Sequence, residues 1–572
     1  MNYKKILKKV RNNKLFLYAS PFLIYLIVAL IFWGPPNFFD IHRLVFNPSG
    51  DQVLFTWSLK WWPYSITHGI NPFVEKYLFN PAGYNTAWTT SIPALALIMA
   101  PVTAIWGAMT SLNILALIAL PISALSCYYL VFYITKKYRA SVLCGFVYGF
   151  SSFQVAQLLG HPCFYVNFVA PLVVLVILLR VNKRLRKIPF ILILGLLLAV
   201  QFGIDTEAFA TMILFGALSW LLLIIFSQKK LRQLLLKTSS ELIFAAIVAA
   251  VILAPFLYYI FTGFKTVPTF IYEPVGYSTD ILNFIIPTKV TLIGGKTFMH
   301  ISNKFTGNDA EQGSYLTIPL ILFMIVFSVK YWRKAYVKVL AIVAFVVAVL
   351  SLGPRLNVNG LRTTFPLPEA LFAKLPLLRY MLPLRFSTYI FLIAAVMLGL
   401  WFSFTPARLT KNKVVSLLKY ILVIVIIVLM LPQPSFDVWK KNTTPYIFSP
   451  KLVTKYIGEH QNILFLPYAD ASPEFWQQYS DMSFTTINGY LGIPPASATD
   501  TTTSYDLYNS IPQTNFTSNF IMFCQQNHLT EIVYGPRIPK ISPIEVREVQ
   551  SLKWPSYTVD KFVIIKVPRA DQ

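Results

Sequence analysis

Carboxylates, one histidine and two arginines are the side chains here that could carry chemistry, and their spacing limits what it can be. Asp51 closes the turn Asn47-Pro48-Ser49-Gly50-Asp51-Gln52 and opens an apolar, aromatic run. A carboxylate there can take a proton from a hydroxyl as a general base. It can also cap the following helix through one oxygen and leave the second free. Both uses stand open. Asp205 and Glu207 separate two apolar runs with no basic residue beside them. Such carboxylates are costly unless they reach water, a cation or a partner. An ordinary polar turn is the alternative, and Glu207, just before the next run, is the better placed of the two to enter a cavity. His161, in Leu159-Gly160-His161-Pro162, is either a ligand contact or an interfacial histidine bonded to a loop carbonyl. Arg379 and Arg385 flank Tyr380-Met381-Leu382-Pro383-Leu384 ahead of an apolar run. The planar guanidinium suits a phosphate; a snorkelling anchor is the competing use.

No metal-binding spacing accompanies these residues, and a divalent cation is the one cofactor that the carboxylates leave open. Walker, dinucleotide-binding and Gly-x-Ser-x-Gly patterns are missing from the sequence. Of the four cysteines, Cys127, Cys144 and Cys163 fall in or beside apolar runs, and Cys524 stands alone in the C-terminal region. No disulfide is therefore expected within that region.

The elements that must position these groups are membrane spans. The chain has 572 residues, 56% hydrophobic and 13% charged, with mean hydropathy +0.59. Apolar runs near the ~20 residues that cross a bilayer recur along it. Eleven spans are expected, near 15–33, 108–134, 140–159, 163–180, 188–204, 208–227, 240–262, 314–331, 338–352, 386–404 and 415–431. The first is expected to be an uncleaved anchor, because no small-x-small site follows it. The net charge of +26 does not indicate nucleic acid, since the basic residues sit in short clusters between apolar runs. Before residue 432, 26 basic residues occupy alternate loops and twelve the others. The positive-inside rule then puts the N-terminus in the cytoplasm and the C-terminal region outside. Ten of the eleven acidic residues in that stretch fall on the outer side; Glu241 is the exception. Carboxylates gathered on one face suggest a site that works there.

Long outer segments are expected at 34–107, 263–313 and 353–385, and loops of such length usually carry function. The first should hold two helices at the outer interface, 52–67 with Trp57, Trp61 and Trp62, and 91–106, interrupted by Pro101. From residue 432 the composition turns nearly neutral, with eleven basic and twelve acidic residues. Short β-type runs at Asn462–Pro467, Glu531–Tyr534 and Phe562–Val567 alternate with helix-like stretches at Leu452–His460, Tyr505–Gln526 and Pro543–Leu552. The expected organisation is an all-α polytopic transmembrane bundle over 1–431 and a small extracytoplasmic α/β domain over 432–572.

Several stretches together resemble the polytopic glycosyltransferases of the GT-C superfamily, among them YfhO-like and other polyprenyl-phosphate-sugar-dependent bacterial proteins. They are Gly50-Asp51-Gln52 with Trp57 and Trp61-Trp62; His68-Gly69-Ile70-Asn71-Pro72-Phe73; Asn80-Pro81-Ala82-Gly83-Tyr84-Asn85; Gly160-His161; Gln201 with Glu207; Gly313-Ser314-Tyr315; and Pro383-Leu384-Arg385-Phe386. In the tail, Leu464-Phe465-Leu466-Pro467, Trp476-Gln477 and Asn488-Gly489-Tyr490 add to it. The resemblance implies inverting transfer of a sugar from a polyprenyl-phosphate donor to an extracytoplasmic glycan, lipid or protein acceptor. It implies Asp51 as catalytic base; the residues themselves offer Glu207 and Asp205 as further acids and Arg385, Arg379, His161, Trp57, Trp61 and His68 as substrate contacts. Many such transferases carry a second acid soon after the first; here Asp40 precedes Asp51, and Glu75 follows much later. A lipid-linked-saccharide flippase is the alternative, and it should show charges inside several spans or paired broken helices.

Overall fold

The structure, a computed structural model, describes residues 14–47, 50–262, 274–374, 381–404, 413–434, 438–492, 495–535 and 543–568. The chain forms two compact units. One combines residues 1–38, 114–252 and 272–438; the other combines 39–113, 253–271 and 439–572.

The first unit is a helical membrane bundle. Among the described residues, seven helices are long and apolar enough to cross a bilayer: Phe16–Trp33, Pro93–Thr135, Pro162–Val181, Lys187–Ile204, Thr206–Phe226, Lys229–Ile252 and Pro383–Ser403. Shorter apolar helices cover Ile318–Tyr331, Ala335–Ser351 and Val414–Met430. These match ten of the eleven expected spans. The expected span 140–159 is instead two helices, Tyr138–Gly149 and Ser152–Gln157. The break has a local cause: the Ser151 hydroxyl accepts from the Gln154 N–H and starts a new helix. Gly149 just before it lies so close to Ala124 that a Cβ would meet the Ala124 backbone at 2.4 Å.

The expected interfacial helix 91–106 and the expected span 108–134 are continuous with each other. They form one element, Pro93–Thr135, and its interruption is at Gly107 (φ 83°, ψ 163°) rather than at Pro101. A left-handed φ is accessible to glycine without steric cost. Within the bundle, Lys187–Ile204 packs on Lys229–Ile252, where Gly195 lets Val248 and Ala245 approach. Glu241, the acid on the basic side, is held by Arg180 through two bonds of 2.5 Å, so the exception to the charge pattern carries its own counter-ion.

The second unit joins the first long loop to the tail. Strand Leu44–Phe46 pairs antiparallel with Trp439–Lys441. Helix Gly50–Thr67 packs along helix Ser472–Tyr479. The tail holds a five-stranded sheet in the order Ser556–Val559, Phe562–Lys566, Glu531–Tyr534, Asn462–Leu466, Thr485–Thr486. The last three strands are mutually parallel and the first two run antiparallel to their neighbours. Alternate residues face opposite sides of a strand. Leu464, Leu466, Ile532 and Ile565 accordingly enter one core, and Ile463, Phe465, Val533 and Ile564 enter another. That is why the strand Asn462–Leu466 is buried throughout and reads as a continuous apolar run. The first loop also extends the sheet edge, as the Thr486 N–H donates to the Tyr77 carbonyl (2.8 Å) and the Asn80 N–H to the Thr486 carbonyl (3.0 Å).

Candidate functional site

Asp51 lies in the first turn of helix Gly50–Thr67, half-buried. Its Oδ1 accepts a hydrogen bond from the Tyr490 hydroxyl at 2.6 Å. The helix is held in place by aromatic donors. Trp57 Nε1 donates to Gln477 Oε1 (2.7 Å), and Trp61 Nε1 donates to the Pro72 carbonyl (2.9 Å). The two indoles stack with centroids 5.3 Å apart, and Lys60 pairs with Asp481. Asp51 thus sits on a rigid element, beside a hydroxyl from the tail, a group that can orient a carboxylate without neutralising it.

Trp57, Trp61 and Trp62 are buried in protein, not turned outward to a headgroup layer as their composition suggests. The tail helix Ser472–Tyr479 and the Pro72–Tyr77 segment cover them, and this cover is invisible in the local sequence. With their faces packed, Trp57 and Trp61 act on the site through the helix they lock. His68 is exposed, stacks on Tyr64 (4.1 Å) and bonds the Tyr64 carbonyl through Nδ1 (2.8 Å).

A second polar cluster lies in the membrane bundle. Arg385, on the short turn Pro383–Phe386, donates Nη1 to Glu207 Oε2 (2.5 Å), and Nη2 (2.5 Å) and Nε (3.0 Å) to Glu311 Oε1. Its guanidinium also lies over the Phe164 ring at 4.1 Å. The Leu382 N–H donates to Glu207 Oε1 (2.7 Å). Gln157 Nε2 donates to Glu311 Oε2 (3.2 Å), and Gln157 Oε1 is 2.8 Å from His161 Nδ1. Glu311 is 1% exposed. Burial alone would push its carboxyl up, but the facing charges of Arg385 and His161 and the bonds from Arg385 and Gln157 outweigh it and hold it below the usual carboxylate value.

The structure therefore brings Glu207, Arg385 and His161 together around Glu311, a residue that sequence reasoning counted among the outer acids but did not single out. No local signal singles it out, because its partner Arg385 lies 74 positions away. Asp205 does not join this network of bonds. Its Oδ1 accepts from the Ala208 N–H (2.6 Å) as the N-cap of Thr206–Phe226, which matches the turn reading. Arg379 lies outside the described residues. Glu207, Arg385 and Gln201 line a recess with Cys163, Asn167 and Tyr389. The two carboxylates engage three of the five Arg385 N–H groups. Among the described residues no group of three or more His, Cys, Asp or Glu side chains is placed to hold a metal ion.

In the second unit the carboxylates of Glu75 and Glu474 are fully buried, both 0% exposed. Glu75 Oε1 accepts from the Tyr77 and Leu78 N–H groups. Its Oε2 and both Glu474 oxygens find no hydrogen-bond donor among the described residues. Burial raises the Glu75 carboxyl to about 8 against the two amide bonds. Burial, then the nearby Glu75 and Asp470, raise Glu474 well above its usual value.

The chain matches no protein-family model and no curated protein. Its fold is similar to that of solved membrane glycosyltransferases. Against the arabinofuranosyltransferase AftD from Mycobacteria the TM-score is 0.56 at 10% identity, over 98% of this chain and 40% of that one. Against the Archaeoglobus fulgidus oligosaccharyltransferase tethered to an acceptor peptide it is 0.47 at 12% identity, over 91% and 69%. For ArnT from Cupriavidus metallidurans bound to undecaprenyl phosphate it is 0.46 at 9% identity, over 97% and 98%. The likeness to AftD is one of fold, a multi-pass helical membrane architecture.

Proposed function

We propose that this protein is a membrane glycosyltransferase that moves a hexosyl or pentosyl group from a polyprenyl-phosphate donor to an acceptor hydroxyl on the extracytoplasmic face. The observation that carries the reading is the place of Asp51, on the first turn of a locked helix with one oxygen aligned by Tyr490. Asp51 takes the proton of the acceptor hydroxyl, the acceptor oxygen bonds to the anomeric carbon, and the bond from that carbon to the phosphate oxygen breaks. The electron pair leaves with the polyprenyl phosphate, and the anomeric centre inverts. General-base assistance of this kind is worth about 10²–10⁴ in rate. A wall polymer, a glycolipid or a protein can each offer the hydroxyl. The fold shared with an arabinofuranosyltransferase supports transfer chemistry. The missing nucleotide-binding motifs support a donor that arrives through the membrane.

The test uses purified protein in bilayers and a panel of radiolabelled polyprenyl-phosphate sugars. We expect one donor to be turned over by the wild type, with Asp51→Asn reduced ~10²-fold or more at unchanged thermal midpoint, since asparagine is as good near a helix start as aspartate. Equal turnover by Asp51→Asn, or lipid movement between leaflets without sugar release, would overturn the reading. The outer placing of the tail rests on the 26 basic residues in alternate loops. A cysteine introduced at Met522, which is 56% exposed, should react with an impermeant maleimide in sealed cells; reaction only after permeabilisation would reverse the orientation.

A further inference from the structure

A recess in the second unit, separate from the surroundings of Asp51 described above, is built from the first long loop on one side and the tail on the other. Its floor is aromatic and apolar: Phe79, Tyr468 and Phe523 with Ile487. Its rim is polar: Asn80 from the loop, and Asp500, Ser504 and Asn527 from the tail. The enclosed and open space together come to about 300 Å³, at the small end of ligand pockets. Phe79, a bulky residue, is held at φ 52°. A left-handed backbone is uncommon for such a side chain and persists only where the surroundings impose it.

The lining chemistry narrows the occupant. No lysine or arginine lines the recess, so a phosphate or a nucleotide would find no cation. Asp500 is exposed, and its carboxylate has no hydrogen-bond or ion-pair partner among the described residues. A carboxylate can accept from two neighbouring hydroxyls, and the amide oxygens of Asn80 and Asn527 can accept from others. One of the two N–H groups of each amide nitrogen is already in use: Asn80 Nδ2 donates to the Lys76 carbonyl and Asn527 Nδ2 to the Phe523 carbonyl. The recess thus offers acceptors above an aromatic floor. It fits a molecule rich in hydroxyl donors with an apolar C–H face.

We propose that this recess binds one sugar unit of a neutral or amine-bearing acceptor glycan, with Asp500 as the principal hydroxyl acceptor. The identity of the sugar as acceptor rests on the reading of the chain as a glycosyltransferase; binding of a saccharide at this place does not. The recess would hold a growing or extended acceptor by a unit away from the reacting hydroxyl, so that glycans differ in affinity before chemistry begins.

Binding is read on the full-length protein in nanodiscs, with immobilised hexose, N-acetylhexosamine and pentose oligosaccharides in one arm and a polyprenyl-phosphate hexose in the other. Wild type and Asp51→Asn should retain one oligosaccharide class equally. Asp500→Ala should lose about tenfold of that affinity, the worth of a charge-assisted hydrogen bond. Ala82→Trp, which fills the recess from an exposed lining position, should abolish retention. Because Asp500 is exposed, its alanine variant keeps a test available should Ala82→Trp fail to fold. Retention of no oligosaccharide by the wild type, or wild-type retention by the folded variants, overturns the proposal. So does capture of the polyprenyl-phosphate hexose alone. Unchanged turnover in Asp51→Asn would remove the base and leave the recess standing, so the two failures are told apart.

Discussion

Two carboxylate sites, one in each unit, are built in opposite ways: around Arg385 the charge is paired, and around Asp51 a hydroxyl aligns it. In the membrane bundle Glu207 and Glu311 share Arg385, and Glu241 has Arg180, while Asp205 caps a helix and buried Glu369 meets no donor among the described residues. In the unit formed by the first loop and the tail, Asp51 accepts from a tyrosine hydroxyl, Glu75 from two backbone amides, and Glu474 meets no donor among the described residues. An ion pair in low dielectric is strong once formed and expensive to break, and it leaves each partner little freedom to do anything else. A carboxylate aligned by a hydroxyl keeps its charge and its basicity. The first arrangement suits a strut, and the second suits a group that exchanges a proton.

The contrast can be broken most forcefully at Arg385. Arg385→Ala strands Glu207 and Glu311 together, and the expected cost is about 3–5 kcal/mol of stability, read as a lowered thermal midpoint in detergent. A midpoint equal to wild type would mean that the cluster is no strut. Next in size is Asp51→Asn, with a ~10²-fold fall in turnover and an unmoved midpoint. This is the mirror image of the arginine result.

Glu75 sharpens the comparison through pH. Its folded value stands at about 8 against an ordinary 4.5. The folded state therefore holds a proton that the unfolded chain gives up. Stability from this group is full below about 4.5, falls as pH rises through the window to about 8, and levels off above it. The slope is about 1.4 kcal/mol per pH unit for one retained proton. Glu75→Gln should flatten the fall of the thermal midpoint between pH 5 and 8; an identical slope would show that Glu75 ionises freely when folded. The smallest effect belongs to Tyr490→Phe. Losing one hydrogen bond to a carboxylate, worth about 1.5–3 kcal/mol at most, should lower turnover several-fold. It should also move the acidic limb of the pH–rate profile upward, because a carboxylate that loses a donor holds its proton more tightly. An unmoved acidic limb would separate Tyr490 from the reacting carboxylate.

The sequence by itself determined the membrane architecture, since span length, loop charge and apolar runs are local quantities set by bilayer thickness. It also determined the tail strands, because Asn462–Leu466, Glu531–Tyr534 and Phe562–Lys566 are short β-type runs wherever they are packed. Asp51 was legible as a residue, by its turn and the aromatic helix after it. What only the tertiary structure decided was partnership. Glu311 lies 74 positions from Arg385, and Tyr490 lies 439 positions from Asp51. No periodicity reports a contact across such separations. The same holds for the first loop and the tail, which share strands and a covered helix face although nearly 400 residues separate Phe46 from Trp439. Whether a carboxylate is a strut or a base depends on what stands opposite it, and folding alone supplies that neighbour.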